Sequence, residues 1–258
     1  QYVVSLLSGH IGGANRLAER VAVITGGNAV ITTASDTQRI DSLDMLADER
    51  NWRVLSSSRM TRILGALVNH EPVFCVADFP VVESSELRRL PWQIRSDFET
   101  LSMDCANLVV ITDRALPAEI EEKCSPLVLC PRSLVVGIGF NRDTPADEIE
   151  ACCRETLRKN QLLFEAIAFI ATIPEKAEEA GFQTFAARWK LNVKVVSHDE
   201  IRQIADPPNP SVYAQKLFGI AGVAEPCALT ASGQAALLVP KEKYPNVTIA
   251  VARKEIML

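Results

Sequence analysis

Histidine is scarce in this chain: His10, His70 and His198 are scattered over 258 residues. Without a CxxC or HExxH spacing that scatter supplies no zinc site, and no structural metal is expected. The seven cysteines, Cys75, Cys105, Cys124, Cys130, Cys152, Cys153 and Cys227, are odd in number and form no CxxC pair. They read as reduced core thiols of a cytoplasmic protein. An excess of basic residues is also missing. A formal net charge of −5 argues against a nucleic-acid partner, so any anion binding must be local. No apolar run approaches the roughly 20 residues of a membrane helix. The longest, residues 134–140 and 235–239, are strand-sized, so no membrane contact is expected. No leader segment, internal repeat or low-complexity tract is read. Neither GxxxxGK[ST] nor GxGxxG occurs, which disfavours a nucleotide site.

What is present fits a folded α/β protein. Apolar residues make up 48% of the chain and charged residues 23%, with enough length for two domains. Short apolar, β-branched runs alternate with helical patterns throughout. That alternation predicts two or more small α/β domains with mostly parallel sheets and a cleft between them, ligands binding beyond the carboxyl ends of the strands.

The most informative stretch is Leu7-Ser8-Gly9-His10-Ile11-Gly12-Gly13-Ala14-Asn15. An apolar strand over 2–7 meets a glycine-rich corner and then a helix from Ala14. The first N–H groups of a helix have no intrahelical partner and carry the positive end of its dipole, so such a corner can hold a carboxylate, a phosphate or a developing oxyanion. Ser8 and His10 flank it. The plainer reading is a turn that reverses the chain. A strand over 29–33 follows, running through Thr32 and Thr33 to Ser35 and Asp36, which either cap the next element or face a ligand.

Helical patterns are expected over 43–51 and 59–69, strands over 72–77, 107–112 and 127–129, and a short helix over 118–123 with Pro117 in its first turn. Cys130-Pro131-Arg132-Ser133 marks a domain boundary. Beyond it, a strand over 134–139 leads through Phe140 and Arg142 to a helix with Thr144 as N-cap and Pro145 in first position. This second glycine corner, at Gly137 and Gly139, is either a ligand cradle with Arg142 pointing into it or a packing turn that admits a helix close to the sheet. The helix buries Ile149, Cys152, Cys153, Thr156 and Leu157 and extends, itself or by continuation, to 167–171. One further helix is expected over 174–189 and a strand over 193–196. His198 reads as a surface or capping residue, and Pro207-Pro208-Asn209-Pro210 as a flap or a simple connection. In Gly222-Val223-Ala224-Glu225-Pro226, Glu225 is the one acid of an apolar run, hence a helix-start cap or a proton-transfer group. Strands over 237–240 and 247–252 close the chain, with Lys241, Lys243 and Arg253 gathering positive charge.

SLLSGHIGGAN, the later Val30 to Asp36 run, Gly137-Ile138-Gly139 and Gly222 to Pro226 together resemble the CbiG family of anaerobic cobalamin biosynthesis, the cobalt-precorrin-5A hydrolases. The resemblance runs over essentially the whole chain. It implies residues 1–39 as the remainder of an N-terminal α/β domain, 40–131 as a middle region and 132–258 as a C-terminal domain. The chain enters a strand directly from Gln1, without a methionine, and so reads as a trimmed form of a longer protein. Family members often carry cysteine where Phe140 stands. The implied substrate is a cobalt-bearing tetrapyrrole whose ring A acetate is closed as a δ-lactone; hydrolysis opens it and releases acetaldehyde. Cobalt then belongs to the substrate, no cofactor is required, and the product is handed to neighbouring methyltransferases of the pathway. On that reading His10, Ser8 and Glu225 are the catalytic candidates, and Gly9, Gly12, Gly13, Asn15, Thr32, Thr33, Asp36, Gly137, Gly139, Arg142 and Lys241 contact the macrocycle and its carboxylates. The rival reading is a non-catalytic corrinoid carrier, because the C-terminal domain resembles a stand-alone protein of the aerobic pathway.

Overall fold

A computed structural model of the chain describes residues 2–5, 14–31, 43–77, 90–95, 106–204, 209–233 and 236–254. The chain divides into two compact units. The first takes residues 1–112 and 116–131, and the second takes 113–115 and 132–257.

The first unit opens with β1 (Tyr2–Ser5), α1 (Ala14–Thr25) and β2 (Asn28–Ile31), the two strands pairing in parallel. Ala18 and Ala22 of α1, four residues apart and so on one helix face, are buried. Then come α2 (Leu43–Glu49), β3 (Arg53–Val54), α3 (Ser57–Val68), β4 (Phe74–Ala77), β5 (Gln93–Arg95), β6 (Leu108–Ile111), α4 (Ala118–Cys124) and β7 (Leu127–Cys130). They build a five-stranded sheet in the order β3-β7-β6-β4-β5, parallel except for β3 against β7. β6 and β7 are buried at every position, the pattern of central parallel strands covered on both faces.

The second unit contains β8 (Leu134–Phe140), α5 (Ala146–Lys159), β9 (Ile167–Thr172), α6 (Pro174–Ala177), α7 (Ala180–Trp189), β10 (Asn192–Val195), α8 (His198–Arg202), α9 (Val212–Phe218), α10 (Ala224–Ser232), β11 (Val239–Lys243) and β12 (Val247–Arg253). Its sheet runs β10-β9-β8-β12-β11, with β8, β9 and β10 parallel and the β11–β12 hairpin antiparallel to them. Among the described residues six of the nine strand pairings are parallel, and the C-terminal hairpin supplies most of the exceptions.

Alternation along β8 assigns its two faces. Phe140 stacks on Phe182 of α7 with ring centroids 5.6 Å apart, whereas Val135 belongs to the cluster of Ile173, Val196, Ile201, Ala214, Ile220 and Cys227. Gly137 and Gly139 share the Val135 face. So do Ala250 and Ala252 of β12, which cluster with Ala224 and Ala228 of α10. This small-residue floor lets α10 settle onto the sheet.

Several local expectations are corrected. α5 stops at Lys159, where Asn160 caps it and Gln161 takes φ 54°; residues 167–172 are a buried β strand, its Ile and Thr residues favouring extended backbone. Residues 174–189 form two helices, because Glu179 is extended and restarts the chain as the N-cap of α7. Thr144 is not the N-cap of α5. Pro145 stands there, and the Thr144 hydroxyl donates to the Asn141 carbonyl at 2.7 Å. Pro117 likewise caps α4 rather than occupying its first turn. Cys75, Cys130, Cys152, Cys153 and Cys227 are buried thiols, but Cys124 is engaged in a disulfide. Proximity in space decides that, and linear spacing does not encode it.

Candidate functional site

Among the described residues, candidate positions come together at the start of α10. A Cβ placed on Gly137 would overlap the Ala224 carbonyl oxygen and stand 2.8 Å from the Ala228 nitrogen; one on Gly139 would stand 2.6 Å from Thr248 Oγ1 and 3.2 Å from Val223 Cβ. Both glycines lie within β8 rather than in the corner, and the helix they admit is α10. Val223 and Ala224 therefore sit directly over the sheet, and Glu225, the next residue, is 1% exposed.

A carboxylate this deep needs donors, and three are supplied. Asn209 gives its backbone N–H at 2.9 Å and its side-chain amide at 2.8 Å, and Lys241 gives its backbone N–H at 2.9 Å. The Lys241 ammonium turns back to donate to the Asn209 carbonyl. The ring so formed joins residues 209, 225 and 241, each 16 residues from the next. The backbone makes it possible. Register shifts between Val239 and Glu242, so Lys241 sits in a β-bulge next to Pro240, on the edge strand, with its N–H turned from the ladder. Burial pushes the Lys241 ammonium below its usual range, with Lys243 adding to that and Glu225 pulling against it.

The sequence-predicted residues thus divide. Gly137, Gly139, Glu225 and Lys241 come together around the first turn of α10. Arg142 stands exposed on the β8–α5 loop, whose Asn141 pairs with Asn246 through backbone and side chain. Asn15 lies in the first turn of α1. Ser8, Gly9, His10, Gly12, Gly13, Thr32, Thr33 and Asp36, and the Pro207-Pro208 stretch, lie outside the described residues. His198 opens α8 behind a Ser197–Glu200 capping box and meets Glu175 at 3.1 Å. Asn209 was not singled out from sequence. The signal was there, since in Pro207-Pro208-Asn209-Pro210 only Asn209 has a backbone N–H to give. Asp113 was missed too. It is fully buried, takes both bonds of the Arg253 guanidinium at 2.8 Å, and accepts from the Ser133 hydroxyl at 2.6 Å.

Three family models match in sequence: "Cobalamin synthesis G N-terminal" over residues 1–36, "Cobalamin biosynthesis central region" over 42–131 and "Cobalamin synthesis G C-terminus" over 134–252. The chain is 34% identical over 261 aligned residues to cobalt-precorrin-5A hydrolase from Priestia megaterium, an alignment covering 97% of this chain and 68% of that protein. The chain belongs to the CbiG family. The Salmonella typhimurium cobalt-precorrin-5A hydrolase is 29% identical, over 98% of this chain and 72% of its own length. Among solved structures, that of CobE, "a protein from the cobalamin (vitamin B12) biosynthetic pathway", is 26% identical and covers 49% of this chain and 94% of its own, with a TM-score of 0.42. Among the described residues of this CbiG-family chain, no helix is long and apolar enough to cross a membrane.

Proposed function

We propose that the chain hydrolyses the ring A δ-lactone of cobalt-precorrin-5A and releases acetaldehyde, giving cobalt-precorrin-5B. The observation that carries this is the likeness to a cobalt-precorrin-5A hydrolase along 97% of the chain. Cobalt is part of the substrate, and the reading needs no resident cofactor. It goes with a cytoplasmic location and hand-over to the pathway's methyltransferases.

Water adds to the lactone carbonyl carbon, and the ester C–O bond then breaks. The alkoxide released on the side chain collapses to the carbonyl of acetaldehyde as its bond to the macrocycle breaks, that electron pair passing to the ring. His10 is assigned as the base that takes the proton from water, because imidazole titrates near working pH. The N–H groups around Gly12 and Gly13 are assigned to the oxyanion, Ser8 to orienting the water, and Gly9, Asn15, Thr32, Thr33 and Asp36 to contacting the macrocycle. Arg142 and Lys241 are assigned to substrate carboxylates. Glu225, the third candidate for proton transfer, receives three hydrogen bonds from Asn209 and Lys241, and is assigned here to holding those two residues in place.

The test is anaerobic acetaldehyde release from cobalt-precorrin-5A, followed by coupled reduction. Release above the spontaneous rate is expected, and His10→Ala should lower kcat by about 10²–10⁴-fold with corrinoid binding kept. Binding without release would favour the carrier. Unchanged turnover in the His10 variant would remove that residue from the mechanism.

A further inference from the structure

The ring around Glu225 has a feature that packing alone does not require. Fastening the 209 segment to α10 needs only the two bonds from Asn209 to Glu225, and fastening the bulge of β11 needs only the Lys241 N–H. The Lys241 side chain adds nothing to either. Its ammonium nonetheless folds back onto the Asn209 carbonyl, the same residue whose N–H and amide grip Glu225. A β-bulge re-aims the side chain it carries, and here the bulged residue is the cation. Lys241 is half-buried, and its own backbone N–H is bonded to the Glu225 carboxylate. A backbone carbonyl is a neutral acceptor, and a carboxylate makes the stronger, charge-assisted bond with an ammonium.

We propose that Glu225 and Asn209 are positioning residues that hold Lys241 poised for a substrate carboxylate, the Asn209 carbonyl acting as a placeholder that the carboxylate displaces. This rests on the hydrolase reading above and deepens it. Glu225 fixes the bulge through the Lys241 N–H and fixes the placeholder through Asn209, so both ends of the Lys241 contact are set by one buried side chain. The role differs from proton transfer in a measurable way. A carboxylate contact away from the reacting bond contributes to ground state and transition state alike, so its loss raises KM and leaves kcat.

The experiment compares wild type with Lys241→Ala, Glu225→Gln and the double variant, using cobalt-precorrin-5A for steady-state acetaldehyde release and for equilibrium titration of corrinoid absorbance. Lys241→Ala keeps the backbone N–H that Glu225 receives, so the fold stays intact and this variant reads the contact itself. A rise of about tenfold to a hundredfold in KM and in Kd, with kcat within about twofold, is the expected result for one lost charge-assisted bond. Glu225→Gln should move KM in the same direction, and adding it to Lys241→Ala should raise KM no further, because the two act through one contact. Unchanged KM and Kd in Lys241→Ala, or a fall in kcat at constant KM in Glu225→Gln, overturns the proposal and leaves the hydrolase reading standing. A wild type that binds and does not turn over removes the hydrolase reading, while the Kd comparison still tests the Lys241 contact. A wild type that does neither removes both.

Discussion

Replacing Gly137 with alanine tests whether α10 is seated on the sheet as described. The backbone at Gly137 does not lie at positive φ, so alanine meets no conformational objection. On entropy alone it would stabilise by about 0.4–1 kcal/mol, through a less flexible unfolded chain. The contacts oppose this. Bringing the Ala228 nitrogen from 2.8 Å back to the 3.4 Å where ordinary contact begins requires α10 to lift by about 0.6 Å, and the overlapped Ala224 carbonyl requires more. Both obstacles are backbone, so neither can swing aside. Overpacking of this kind costs about 1–3 kcal/mol, and a lifted helix also loosens the cluster of Ala224, Ala228, Ala250 and Ala252. The upper end of that range minus the entropic gain leaves about 2 kcal/mol of destabilisation, or a fall in Tm on the order of 8 °C for a unit of this size. Gly139→Ala is the internal control. Its nearest obstacle is the Thr248 hydroxyl, which can rotate, so its fall should be less than half as large. Thermal unfolding by circular dichroism measures both. A Gly137→Ala protein as stable as wild type, or no less stable than Gly139→Ala, refutes the packing argument.

Asp113→Asn removes the charge of a fully buried carboxylate that the partly exposed Arg253 guanidinium binds through two hydrogen bonds; it should cost about 1–3 kcal/mol in urea unfolding, with the double variant that also removes Arg253 costing less than the two single variants together. Burial alone would push the Glu150 carboxyl up, but hydrogen bonds from Trp189, Arg154 and Arg188 carry it down from 4.5 to about 2. Because the folded state lowers this pKa, the stability Glu150 contributes is complete above about 4.5 and is lost as pH falls toward 2. Glu150→Gln should therefore lose stability at pH 6 and lose little at pH 2, measured by denaturant midpoints at the two values. Burial also pushes the Cys75 and Cys153 thiols up to about 12, so neither should react with a thiolate-selective reagent at pH 8 until the protein unfolds, which peptide mapping of the labelled sites would check.

How much of this was legible beforehand depended on the range of the interaction involved. The buried face of α5 followed from helical spacing, since Ile149, Cys152, Cys153, Thr156 and Leu157 are all buried. β1, β2, β4, β6 and β7 of the first unit followed from short β-branched runs, whereas the two- and three-residue strands β3 and β5 carry no such run and did not. Strand β9 was misread because Ile167 to Ala171 mixes alanine with isoleucine, so its pattern is shared by helix and strand until the break at Gln161 is known. β11 lies two to three residues later than expected, at Val239–Lys243, since Pro240 is accommodated by a bulge on an edge strand. Among site residues, Gly137, Gly139, Glu225 and Lys241 were chosen from sequence as separate signals. That they share one place depends on β8, α10 and β11 packing together, and no spacing within 120 residues of chain announces it. Asn209 and Asp113 escaped for the same reason, their partners standing 16 and 140 residues away.

The position of β12 has a consequence for how the second unit is made. The strand inserted between β8 and β11 is the last of its sheet to be synthesised, pairing along its full length with the first, from Val247 opposite Phe140 to Arg253 opposite Leu134. Until residues 247–253 have left the ribosome, β8 lacks a neighbour on one side, α10 lacks half its floor, and Asp113 waits without its guanidinium. The first unit can close during translation, while the second must hold a nascent, one-sided sheet until its end arrives. A stalled chain ending anywhere before residue 247 would therefore expose an open sheet edge of the kind chaperones bind, and cells making it should depend on them most in that interval.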